Sequence, residues 1–217
     1  MLGKQHVSLM TTARSRTDRY LLKVATSAPD ISETSIFFLS LLPKQLRPQI
    51  LHRWRKHVAD HSRSGDPVFG PWHDLVTQRT PGTLRVDTSK TLQAKWKQQG
   101  VDPRLRVALT QAAPTSVAGV VKIYSRVLKA AASDETLPKT DQLRRLLIGK
   151  HSPVWFPLRQ TWYYMSRKDK DAFRGLVRGL DILAVKSPHA AARAMSLTDT
   201  DELFSPVIFR RGDPTLP

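Results

Sequence analysis

The chain has 217 residues, 40% of them hydrophobic, and carries 35 Lys and Arg against 18 Asp and Glu, a formal net charge of +17. A chain of this size buries roughly 70% of the surface of its unfolded form, so a core without covalent staples is feasible. Cysteine is absent, which excludes disulfides, thiolate zinc sites, C-x-x-C-H haem attachment and cysteine nucleophiles within these residues.

The periodicity is helical almost throughout. Residues 1–12 read as a flexible tail, Arg-rich beyond it and without an apolar signal core. A first helix is expected over 14–25, with Tyr20, Leu21 and Val24 inward, broken at Ser27-Ala28-Pro29. A short apolar helix, 33–42, ends at Pro43; it is far below the ~20 residues of a membrane helix. Pro48 opens the next helix, where its missing N–H is harmless. That helix places Ile50, Leu51, Trp54 and Val58 on one stripe.

Gly65, Pro67, Gly70 and Pro71 punctuate residues 62–72 and predict a structured turn, anchored by Val68, Phe69 and Trp72. Helices follow at 89–99 and 103–112, with Gly100 ending the first and Asp102 capping the second. Thr115 or Ser116 caps a longer helix to residue 131, whose inner side is Val117, Val120, Val121, Tyr124 and Leu128. A linker spans 130–138, and Thr140 caps a helix bearing Leu143, Leu146 and Leu147 that stops at Gly149. After the aromatic connection 152–157 and a helical turn near 159–165, Ser166 and Asp169 open a last helix with Phe173, Leu176, Val177, Leu180 and Leu183 as its inner face. Residues 194–197 and 207–210 read as short extended segments.

The pattern gives a mainly α fold. It is an irregular bundle of about eight or nine helices over 13–190, followed by an extended or β-like segment, 191–217, that begins a further domain.

Catalytic signatures fail one by one. His57 and His61 have the i, i+4 spacing of a metal pair, but Val58 stands where a zinc protease needs its glutamate. Gly149-Lys150 lacks the upstream glycine of a phosphate loop, since position 144 is Arg, and His151 replaces the magnesium-binding hydroxyl. No nucleophile elbow or dinucleotide-binding glycine pattern is present. The Arg211-Gly212-Asp213 triplet is too short to carry weight. No catalytic, cofactor or metal residue is assigned.

Two basic groupings are candidate polyanion contacts: Arg53 and Lys56 beside Trp54, and the stripe Lys122, Arg126, Lys129. Trp54 belongs to the apolar stripe, however, so a solvated helix face is the favoured reading and nucleic acid the second.

Two islands have a pattern of their own. One is Asp66-Pro67-Val68-Phe69-Gly70-Pro71-Trp72-His73, preceded by Arg53-Trp54. The other is Arg193-Ala194-Met195 with Phe209-Arg210-Arg211-Gly212-Asp213-Pro214; Leu146-Leu147-Ile148-Gly149 and Ser152-Pro153 lie between. In order and spacing they resemble the middle region of large planctomycete-type proteins that carry paired domains of unknown function, numbered fifteen-forty-nine and fifteen-fifty-three. The resemblance spans residues 18–217 and implies a helical region between two flanking domains of an exported, envelope-associated bacterial protein. Haem would then sit only in a separate cytochrome domain. The partners would be the flanking domains and an acidic envelope polymer. Asp66, Phe69, Trp72, His73, Arg193, Arg211 and Asp213 would form its structural or ligand-contact motif. Taken as a complete chain, the sequence would instead be cytoplasmic. Three functions follow in order: a non-catalytic structural or interaction module, a basic polyanion binder, and part of a hydrolase whose active site needs absent domains.

Overall fold

The computed structural model describes residues 2–34, 41–77 and 90–188. Among them are ten α-helical segments and no strand: α1 (Leu2–Ser15), α2 (Thr17–Thr26), α3 (Pro48–His61), α4 (Gly70–Trp72), α5 (Lys90–Gln98), α6 (Pro103–Ala112), α7 (Val117–Ser133), α8 (Gln142–Arg145), α9 (Thr161–Tyr164) and α10 (Arg167–Lys186). Tight 3-10 turns lie at Ile31–Glu33 and Leu158–Gln160, and a wide π turn continues α4 over His73–Thr77. The mainly α, irregular bundle expected from the periodicity is what the chain forms.

Helix starts follow local chemistry. Asp102, Ser116 and Asp141 cap α6, α7 and α8 by accepting from the N–H groups of Arg104, Gly119 and Arg144. Each bond satisfies a donor that the first turn leaves without an intrahelical partner. The α8 cap is thus Asp141, one residue after the expected Thr140. Asp30 closes a capping box with Glu33 around the first 3-10 turn. Gly100, with φ of +71°, follows α5 in the left-handed region that glycine enters without steric cost.

The chain divides into two compact units, residues 1–167 and 168–217. In the first, α7 is the central element and packs against α2, α6 and α8, while α3 packs against α2. One core cluster runs from Met10 to Tyr164 and includes Trp54, Phe69, Trp72, Trp96 and Tyr124. The stripe expected on α3, Ile50, Leu51, Trp54 and Val58, is buried as a set.

Four expectations change. Residues 2–12 are not a flexible tail but most of α1, which buries Met10 and Ala13. It is tied down by His6 Nε2 at 2.8 Å from the Phe156 carbonyl and by Arg14 donating to the Leu147 carbonyl. The linker expected from residue 130 begins later, because α7 continues to Ser133. In the second unit, Leu176, Val177, Leu180 and Leu183 of α10 are exposed and do not form an inner face. Periodicity identifies an apolar stripe without saying what covers it. The division into units falls at residue 167, inside the helical domain expected to reach 190. The extended segment 191–217 and most of the short helix 33–42 lie outside the described residues.

Candidate functional site

The turn between α3 and α4 concentrates the motif residues, and its order starts with one carboxylate. Asp66 Oδ1 accepts from the N–H groups of Val68 and Phe69 at 2.9 and 2.7 Å. Its Oδ2 lies 3.1 Å from His61 Nδ1, at the end of α3. The Asp66 carbonyl accepts from the Gly70 N–H, which starts α4. Gly65, with φ of +87°, makes the reversal just before it. One side chain thus closes the turn from both sides.

The carbonyls of the turn are used as well. Pro67 accepts from the Asp102 N–H at 2.8 Å, joining the turn to the start of α6. Val68 accepts from the Tyr124 hydroxyl at 2.8 Å, joining it to α7. Burial pushes the Tyr124 hydroxyl well above its ordinary pKa, so it remains a donor. Phe69 stacks on Tyr124 with ring centroids 5.8 Å apart, and Trp72 meets Tyr124 edge-on at 5.3 Å. Phe69 and Trp72 are 1% and 2% exposed, and Trp54 is 0%. The aromatic anchors of the turn therefore lie inside the core, where no ligand reaches their faces.

His57 packs between the edges of Trp54 and Phe69, at 6.3 and 5.6 Å, and its ring centroid is 4.4 Å from that of His61. Burial lowers its pKa to about 4, with the neighbouring His61 acting in the same direction. Among the described residues no group of three or more His, Cys, Asp or Glu side chains is placed to hold a metal ion. Asp66 has one oxygen on two backbone donors and the other facing an imidazole. Such a carboxylate has little acceptor capacity left for a substrate.

The other candidates separate. His73 is half-buried in the π turn beside Trp72. Arg53 donates to the Trp155 carbonyl and lies 5.9 Å from the centre of the Tyr164 ring. Lys129 donates to the Ser15 carbonyl at 2.6 Å, near Asp18 at 3.4 Å. Arg53 and Lys129 thus serve as ties between helices. Lys56, Lys122 and Arg126 are exposed. Arg193, Arg211 and Asp213 lie outside the described residues.

The sequence reading missed several polar ties. Asp74 accepts from Lys95 Nζ and from Trp96 Nε1, both at 2.9 Å, and fixes α5 beside the π turn. Glu33 pairs with Arg55, which also donates to the Ser27 and Ala28 carbonyls. Arg104 bridges Asp102 and Asp141 at 2.7 Å each. Apart from Arg104–Asp102, no local spacing announces these pairs, because the partners in Asp74–Lys95, Glu33–Arg55 and Arg104–Asp141 are 21 to 37 residues apart.

Compared with protein-family models, with curated proteins and with solved structures, the chain matches none of them. No helix among the described residues is long and apolar enough to cross a membrane.

Proposed function

We propose that this chain is a non-catalytic structural or interaction module whose partners are neighbouring domains of a larger exported bacterial protein. The observation that supports this reading is the burial of Trp54, Phe69 and Trp72 in one core, at 0%, 1% and 2% exposure. A groove for single-stranded nucleic acid presents such rings on its surface, where unpaired bases stack on them. Here the rings of α3, α4 and α7 pack around the turn at Phe69. The cations add to the argument, since Arg53, Arg55, Arg104 and Lys129 are engaged with backbone carbonyls or carboxylates of other segments. The exported, multidomain setting rests on the order of the two islands, 66–73 and 193–214.

A titration with duplex DNA at several salt concentrations tests the module against the polyanion reading. A scaffold with scattered surface charge binds no tighter than about 100 μM at physiological salt, the weak end of non-specific association. Low-micromolar binding that falls steeply with salt, and is lost in the Lys122→Glu/Arg126→Glu double variant, would favour the binder and remove the scaffold reading.

A further inference from the structure

We propose that the contact between the end of α3 and the turn at Asp66 is an acid-operated seam: a proton taken up by His57 releases the last turn of α3, while the Asp66 turn stays fixed on α6 and α7. Such a device works whatever the partners of the chain are, so it neither rests on the scaffold reading nor falls with it. The two sides of the turn are held by different chemistry. Toward α6 and α7 the holds are the Asp102 N–H on the Pro67 carbonyl, the Tyr124 hydroxyl on the Val68 carbonyl and the stacking of Phe69 on Tyr124. None of these gains or loses a proton in mild acid, since backbone amides do not titrate there and burial pushes the Tyr124 hydroxyl well up. Toward α3 the holds are two imidazoles, the side chain that takes up charge in this range. His57 packs against both Trp54 and Phe69, and His61 Nδ1 lies 3.1 Å from Asp66 Oδ2. Acid therefore acts on one side of the turn only.

A charge on His57 is poorly accommodated where the ring stands. The ring is half-buried, and its centroid is 4.4 Å from that of His61. The charged and titratable groups acting on it are Asp60 and His61 of its own helix and Asp66 of the turn. Arg53, one turn earlier on α3, is engaged with the Trp155 carbonyl. From the far side of Phe69 come only the uncharged rings of Trp72 and Tyr124. Asp66 is poorly placed to neutralise the new charge, because its Oδ1 serves Val68 and Phe69 and its Oδ2 serves His61. A protonated ring gains hydration by leaving the slot between Trp54 and Phe69, and the end of α3 moves with it. With His57 at about 4 when packed and 6.5 when free, proton linkage favours the open form roughly twentyfold more at pH 5 than at pH 7.

Amide hydrogen exchange on the full chain is the test, read residue by residue by NMR at pH 7 and pH 5 and corrected for the intrinsic rate at each pH. The N–H groups of His61 and Ser62, in and just after the last turn of α3, should lose about tenfold or more of their protection at pH 5. Those of Phe69, Gly70 and Asp102 should change by less than about threefold, because the holds on α6 and α7 do not titrate. His57→Phe keeps a ring between Trp54 and Phe69 and should abolish the loss at His61 and Ser62. Unchanged protection at His61 and Ser62 overturns the proposal. So does an equal loss at all five positions, which would mean that the whole unit loosens at once. Both outcomes are decided on the wild type alone, even where the variant does not fold. A loss at His61 and Ser62 that persists in folded His57→Phe also overturns it and assigns the acid response to His61 or Asp66.

Discussion

Between Trp54 and Phe69 the chain places an imidazole where a neutral ring is favoured. His57 titrates at about 4 in the folded protein against 6.5 in a free histidine, chiefly because burial disfavours its charged form. His61 adds to that effect, while the carboxylates of Asp66 and Asp60 work against it. The sign follows from proton counting. Between pH 6.5 and 4 the unfolded chain binds a proton at His57 that the folded chain does not, so stability is lost as the pH is lowered through that window. Below 4 both states are protonated and this contribution stops changing; above 6.5 it is fully present. After discounting for the partly solvated side of the ring, the loss amounts to about 2 kcal/mol. Urea unfolding at pH 4.5, 5.5, 6.5 and 7.5 should show it as a difference between the wild type and His57→Phe, which keeps the aromatic packing and removes the titration. Parallel pH dependences in the two proteins would show that His57 is protonated as freely folded as unfolded.

Helix ends offer a matched pair of substitutions. Gly100 follows α5 at φ of +71° with open space around its missing Cβ, so Gly100→Ala isolates the backbone term and should cost about 1 kcal/mol. Ala113 ends α6 at φ of +38°, the left-handed region that alanine resists, and Ala113→Gly should stabilise by about 0.5 kcal/mol. Thermal unfolding of the two variants checks both signs at once. The elements involved also show where sequence reasoning works. Gly100, Asp102, Ser116 and Pro48 act within three or four residues of their own position, so the helix boundaries they set are readable locally. The α3 and α7 stripes are readable because burial is decided by a periodic pattern. What escapes is whatever depends on a distant partner. The α1 register was hidden because its ties, from His6 and Arg14, reach segments more than 130 residues away. The apolar pattern of α10 was plain, yet its exposure was not, since periodicity on one helix carries no information about a second surface. For the turn at Asp66, the glycines and prolines announced a fixed bend. The role of Tyr124 as its anchor depends on a hydrogen bond 56 residues long in sequence.

Across the whole molecule, charge acts in two opposed ways. A formal +17 sets up self-repulsion that favours expansion, and added salt weakens it because exposed like charges are screened beyond about 8 Å. Salt also weakens ion pairs, but the most enclosed ones are poorly reached by it. The carboxylates of Glu33 and Asp74 are 2% and 6% exposed in their pairs with Arg55 and Lys95. Surface pairs such as Lys129–Asp18, at 3.4 Å, contribute little in any case. Relief of repulsion should therefore exceed the loss of attraction. The melting temperature is expected to rise by about 2–4 °C between 20 and 200 mM NaCl, corresponding to about 1 kcal/mol for a chain of this length. Scanning calorimetry at a chain concentration of 5 μM is the measurement that checks it. A fall in melting temperature over the same salt range would mean that the network around Arg55, Arg104 and Lys95 carries more of the stability than the net charge removes.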